Sequence, residues 1–279
     1  MTAAPGSLNE FARQLRVTPR RRFDLSAIDP ASRPGFSGDR EAADQELDEL
    51  RDELFEFQDR LWAERKRSML IVLQAMDGGG KDGTIRKVFG AFNIQGARVI
   101  SFGVPTQEEL AHDFMWRVHP HAPGRGRVAI FNRSHYEDVL VARVARLVPK
   151  ATWSGRYAII NDWERSLSAA GTTILKFMLH ISRDEQRDRL QKRLEDPAKH
   201  WKWSPGDLDV RARWGDYMTA YQEALSRTST ADAPWFVVPA NHKWYRDLAV
   251  ARIVVATTRK LDPKYPKLPA EFRGTEVPA

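Results

Sequence analysis

The chain has 279 residues, long enough for a sizeable core as one embellished domain or two small ones. Its 44 lysines and arginines exceed its 37 aspartates and glutamates, and the net charge of +7 calls for an anionic partner without choosing nucleic acid, membrane surface or small polyanion. The lack of cysteine excludes disulfides, thiolate zinc sites and a cysteine nucleophile, and with no secretory signal over residues 1–10 and no membrane-length apolar run, the cytoplasm is the expected compartment.

Residues 1–40 are rich in Pro, Gly, Ser and Arg, with the densest basic run at 18–22, and read as an arm that is extended on the surface or partly disordered. From 41 to 67, Leu47, Leu50, Leu54, Phe57 and Leu61 recur at three- and four-residue steps. That spacing predicts a helix with one apolar stripe, to be buried against the domain or a second subunit. Strand and helix signals then alternate. Strands are expected near 69–75, 98–102, 127–131, 173–179 and 235–238, and helices after 81, from Thr106 through 116, over 136–148, and from Ser182. Thr106 with Glu109 and Ser182 with Glu185 have the capping-box spacing. The strands are continuous apolar runs, as when helices cover both faces of a parallel sheet. The expected architecture is a three-layer α/β/α sandwich around a parallel five-stranded sheet, spanning 41–261, with a proline-rich tail over 262–279.

The first strand enters Asp77-Gly78-Gly79-Gly80-Lys81-Asp82-Gly83-Thr84. Glycines let backbone N–H groups face an anion, the helix N-terminus adds its positive end, and Lys81 supplies a point charge for outer phosphates. The pattern departs from G-x-x-x-x-G-K-[ST]: Ala75 replaces the first glycine and Asp82 the serine or threonine that would hold magnesium. Two carboxylates, Asp77 and Asp82, beside a phosphate repel it unless a divalent cation stands between them.

Ligands collect at the carboxyl ends of parallel strands. The second strand delivers Gly103, Pro105 and Thr106 there, as candidate nucleotide contacts. The third delivers Asn132-Arg133-Ser134-His135-Tyr136-Glu137-Asp138, with neutral Asn132 where a nucleotide-binding protein places an aspartate. Asp77, Glu137 and Asp138 are therefore the nearest candidates for the cation, with Asp82 a further one, although Glu137 and Asp138 would also suit a helix N-terminus. Arg133 can bind phosphate oxygens bidentately, or form a structural ion pair. On the helix after strand four, Arg189, Lys192 and Arg193 share a face. With the basic, proline-bounded stretch that follows, they make a candidate lid over about 183–206, against the plainer reading of a solvated helix face.

The blocks Gln74-Ala75-Met76-Asp77-Gly78-Gly79-Gly80-Lys81-Asp82-Gly83, Phe131-Asn132-Arg133-Ser134-His135-Tyr136-Glu137-Asp138 and Arg193-Leu194-Glu195-Asp196-Pro197, with Trp201-Lys202, resemble the type-2 polyphosphate kinases, P-loop relatives of thymidylate kinase. The resemblance implies phosphoryl transfer between inorganic polyphosphate and nucleotides with Mg2+ or Mn2+. It makes Asp77 a metal ligand, gives Lys81 and Arg133 the phosphates, and puts Arg189 and Arg193 in the lid. Asn132 together with Glu137 looks like the class III subgroup, which accepts nucleoside mono- and diphosphates. Homodimers or homotetramers are implied too, which would give the stripe over 47–61 a partner. Two rivals stay open at this level. One is an ATP-dependent nucleoside monophosphate kinase, opposed by its missing magnesium ligands. The other is a non-enzymatic polyanion-binding module, opposed by the clustered carboxylates.

Overall fold

The computed structural model of the chain describes residues 5–19 and 21–277. The outermost residues of the arm and tail, and Arg20 of the basic run, lie outside these. In chain order the elements are α1 (Pro5–Leu15), α2 (Arg40–Glu64), β1 (Ser68–Gln74), α3 (Lys81–Val88), β2 (Ala97–Ser101), α4 (Gln107–Ala111), β3 (Val128–Asn132), α5 (Val141–Val144) and α6 (Lys150–Ala169). Then follow β4 (Thr172–His180), α7 (Arg183–Glu195), α8 (Gly206–Ala212), α9 (Trp214–Thr228), β5 (Trp235–Pro239) and α10 (Lys243–Leu261).

All strand pairs are parallel, in the order β2-β3-β1-β4-β5. Alternate residues of β1 serve opposite layers: Met69, Ile71 and Leu73 join the core with α2, α3 and α10, whereas Leu70 and Val72 join the one with α6 and α9. Both faces are thus apolar, which explains why β1 and β4 show no alternation in sequence. The carboxyl ends of β1 and β3 bring the glycine-rich loop and the Asn132–Asp138 segment side by side, since Leu73 pairs with Asn132.

The arm differs from the extended form expected. Residues 5–15 form a helix whose Leu8, Phe11 and Leu15 enter the core. The chain then makes an antiparallel bridge from Arg16 to Phe236, and the Val17 amide donates to the Trp235 carbonyl at 2.9 Å. The arm therefore covers the open edge of β5, a position that would otherwise expose unpaired backbone groups.

The stripe of α2 is buried within the chain, against α10. Arg252 grips Glu46 through two bonds of 2.6 Å, and Arg259 holds Glu53 at 2.7 and 2.8 Å, which fixes the pairing of the two helices. That stripe is not left over for a second subunit. Two predicted helices are also shorter than their patterns. The one at Thr106 keeps its capping box but ends at Ala111, and 136–148 resolves into a 3-10 turn, His135–Asp138, followed by the short α5. The turn forms because Tyr136 is drawn fully into the core.

Phe11 is 4% exposed. Phe11→Ala is expected to lower the unfolding free energy by about 3–5 kcal/mol, as for other buried phenylalanines. Urea denaturation reads this directly, and a loss below about 1 kcal/mol would mean that the arm merely rests on the surface.

Candidate active site

The glycine-rich loop closes on itself through the Gly79 amide, which donates to the Met76 carbonyl at 2.9 Å. Gly78 and Gly80 take φ of 80° and 99°, conformations open to glycine and strained for other residues. Gly80 then starts α3, whose first-turn N–H groups at Lys81, Asp82 and Gly83 have no intrahelical acceptor. Such free amides at a helix N-terminus are placed to face an anion.

Two arginines brace the loop. Arg246, 3% exposed, places Nη1 1.9 Å from where a Cβ on Gly80 would stand, while its Nε and Nη2 bind Asp247 at 2.9 and 3.0 Å. Asp247 in turn accepts from Thr84 Oγ1 at 3.0 Å. Arg189 donates to Gly78 O at 2.9 Å, to Glu185 at 2.6 Å, and to the Ala240 and Asn241 carbonyls at 2.6 and 3.0 Å. Arg189, expected as a lid residue for phosphate, is therefore committed to protein acceptors and staples α7 to the loop and to β5.

Within the cradle, Lys81 is buried and donates to the Ala75 carbonyl at 3.0 Å. Burial and the neighbouring Arg133 lower its pKa, while Asp77, Glu137 and Asp82 act to raise it. Arg133 takes φ 62°, rare for a non-glycine residue, and its guanidinium meets Asp77 Oδ1 at 2.7 Å. Burial pushes against the Arg133 charge, but Glu137 and Asp77 outweigh it and raise its pKa. Glu137 is pushed above the usual carboxylate range by burial, with Arg133, Lys81 and a hydrogen bond from Gln74 opposing. Asp82 accepts from Asn132 Nδ2 at 2.9 Å and from Lys202 Nζ at 3.1 Å. Burial there works upward, yet these two donors hold its pKa below the ordinary value.

Asp77, Lys81, Asp82, Asn132, Arg133 and Glu137 thus come together as expected. Asp138 does not join them: it faces Arg156 at 3.1 Å and Arg117 at 3.7 Å. Among the described residues, no three Asp, Glu or His side chains form a group able to hold a metal, so the triple of Asp77, Glu137 and Asp138 is not assembled. The remaining carboxylates still suit a hard cation of the Mg2+ kind, which uses one or two protein carboxylates and takes its other oxygens from phosphates and water.

The loop of Gly103, Pro105 and Thr106 stands beside β3. Thr106 Oγ1 caps α4, and buried Arg117 donates to Gly103 O at 3.1 Å, joining this loop to Asp138. In the lid segment Lys192 is exposed, and Arg193 donates to Asp207 at 3.1 Å. Lys202, from the 3-10 turn Pro197–Lys202, reaches across to Asp82. Sequence reasoning missed the roles of Arg246, Asp247 and Arg117. The one signal was a charged pair, Arg246-Asp247, opening a strongly apolar run.

A parallel sheet with a glycine-rich loop, a buried lysine and a helix N-terminus at the end of its central strand defines a P-loop phosphotransferase. The chain belongs to the polyphosphate kinase 2 family, whose model matches residues 37–266. It is 52% identical over 255 residues to the AMP/ADP-polyphosphate phosphotransferase of Meiothermus ruber, covering 91% of this chain and 96% of that one. It is 44% identical over 226 residues to the ADP-polyphosphate phosphotransferase of Rhodopseudomonas palustris, covering 77% and 78%. The crystal structure of polyphosphate kinase 2 from Arthrobacter aurescens matches with a TM-score of 0.90 at 44% identity, over 96% of this chain and 93% of that one. Phosphotransferases of this family generally use a divalent metal. Among the described residues no helix is long and apolar enough to cross a membrane.

Gly80→Ala sets a methyl group against Arg246 at a φ that alanine avoids. It is expected to cost more than about 1 kcal/mol of stability, measured by denaturant titration. An unchanged midpoint would show that the loop is not braced from below.

Proposed function

We propose that this chain transfers phosphoryl groups from inorganic polyphosphate to nucleoside mono- and diphosphates, with AMP and ADP yielding ATP. The observation that carries this is the Asp82–Asn132 contact of 2.9 Å. It occupies the two positions, loop hydroxyl and third-strand carboxylate, from which an ATP-dependent kinase would hold its magnesium. The carboxylates left free to hold a cation are Asp77 and Glu137, beside Lys81 and Arg133.

The chemistry is in-line displacement with no covalent enzyme intermediate. The loop amides and Lys81 bind donor phosphates, and Arg133 counters charge on the transferring group. Asp77 and Glu137 would hold Mg2+, or Mn2+ in its place, together with substrate phosphates. Such an ion neutralises the facing phosphate oxygens so that two polyanions can meet. The acceptor phosphate is already ionised near neutral pH, so no strong base is required. Asn132 and the loop at Gly103, Pro105 and Thr106 contact the acceptor nucleotide, and Lys192 and Arg193 lie along the donor chain. A homodimer or homotetramer in the cytoplasm, binding neither nucleic acid nor membrane, completes the reading. Its subunit contact would use a surface other than the stripe of α2.

Lys81→Ala is expected to lower kcat roughly 10²- to 10³-fold with AMP and with ADP, at unchanged circular dichroism. An active, folded variant would overturn the assignment. ATP formed from ADP but not from AMP would narrow the acceptor range, and product appearing only with an ATP donor would favour the conventional kinase.

The raised pKa of Glu137 predicts the acid side of the pH profile. If the ionised carboxylate is the active form, turnover declines as pH falls through a value above the roughly 4.3 of an ordinary glutamate. Glu137→Gln is expected to remove this limb from its residual activity, and an identical profile in the variant would rule Glu137 out as its source.

A further inference from the structure

Beneath the segment that carries Asn132, Arg133 and Glu137 lies a set of polar groups sealed from water. Lys176 and Tyr136 are 0% exposed, as is His135, and Glu164 is 1% exposed. The Lys176 ammonium gives all three of its donors to fixed acceptors: Glu164 Oε2 at 2.5 Å, the Tyr136 hydroxyl at 2.8 Å and the Thr228 carbonyl at 2.8 Å. The Tyr136 hydroxyl donates to Glu164 Oε1 at 2.9 Å, and His135 Nε2 stands 3.2 Å from the same oxygen. The Tyr136 ring meets Trp235 edge-on at 4.7 Å. Glu164 of α6 and Lys176 of β4 together tie the C-terminus of α9 to two consecutive residues of the segment after β3.

Stability is a weak reason for such a cluster, because apolar replacements for a buried ion pair are often neutral or stabilising. Its distinctive consequence is geometric. His135 and Tyr136 are the residues between Ser134, which accepts from Gln74 at 3.3 Å, and Glu137. With Tyr136 anchored on one side and the Arg133 amide bonded to the Leu73 carbonyl at 3.1 Å on the other, the backbone from Arg133 to Glu137 cannot shift as a unit.

We propose that Glu164 is a positioning residue for phosphoryl transfer: it locks His135 and Tyr136, and through them sets where Arg133 and Glu137 stand around the phosphate loop. The proposal rests on the roles given above to Arg133 and Glu137. Misplacement by about an ångström is enough to cost a transfer step roughly 100-fold, so the effect belongs in kcat. The loop amides, Lys81, Lys192 and Arg193 are the groups given to the donor chain, and this cluster touches none of them, so KM for polyphosphate stays in place.

The test is the double variant Glu164→Leu/Lys176→Met, which removes both buried charges together. Expected are a denaturation midpoint near that of the parent chain, kcat lowered roughly 10- to 100-fold and KM for polyphosphate unchanged. Parental kcat in the folded double variant would overturn the proposal and leave the cluster purely structural. If the double variant does not fold, Tyr136→Phe decides: it keeps the ring and removes only the hydroxyl link. Lower kcat at unchanged stability supports positioning, and parental kcat overturns it. Arg133→Ala and Glu137→Gln run alongside. Were neither to alter turnover, the site assignment itself would fail; were both to do so while the double variant did not, the positioning role alone would fall.

Discussion

Arg246 lies under the phosphate loop with two nitrogens on Asp247 and the third against Gly80. A guanidinium this deeply buried needs a carboxylate partner, and a loop packed this closely on it needs glycine at Gly80. Both requirements fix α10 against α3. Because α10 opens with this pair, the helix must enter the core at the loop, and its following residues, from Leu248 to Ala256, are buried almost without interruption. A helix buried all round needs cover on its outer side. The stripe of α2 gives that cover, locked in register by the Arg252–Glu46 and Arg259–Glu53 pairs, and α1 fills the remaining flank. The anion cradle is thus the inner end of a continuous stack of helices.

Charge in the site is arranged so that no group stands alone before substrate arrives. Arg133 rests on Asp77, Asp82 is held by Asn132 and Lys202, and Lys81 lies near three carboxylates. Entry of a phosphate chain would offer Lys81 and Lys202 new anionic partners, while Asp77 and Asp82 would face repulsion. A divalent ion held by Asp77 and Glu137 would relieve that repulsion. The contact of Lys202 with Asp82 also links the segment after α7 to the loop, so a change in charge at Asp82 is felt directly by the element that could close over the chain.

The parallel sheet and the loop were legible in the sequence because both depend on local signals, apolar runs and glycines followed by lysine. Leu47 to Leu61 were equally legible as a stripe, but what covers them was not, since α10 shows no amphipathic period to announce itself. The arm misled because its proline, glycine and arginine content dominates a short helix in which only Leu8, Phe11 and Leu15 matter. Arg189 misled for another reason: its spacing with Lys192 and Arg193 is that of a basic face, and only the fold shows its donors spent on Gly78, Glu185, Ala240 and Asn241. Asp138 likewise shares the motif with Glu137, yet the 3-10 turn sends the two side chains to different partners.

The pairing of Asn132 with Asp82 bears on why the carboxylate sits at Glu137. An aspartate at position 132 would set its oxygens against those of Asp82 at the 2.9 Å now bridged by an amide N–H. Two ionised carboxylates that close cannot coexist without a proton or a cation between them. The neutral amide avoids this and donates, drawing Asp82 toward β3. Glu137 then carries the charge from the next turn of the chain, on a longer side chain and beside Arg133 and Lys81 rather than Asp82. A carboxylate at Glu137 thus adds charge beside Arg133 and Lys81 without setting it against Asp82.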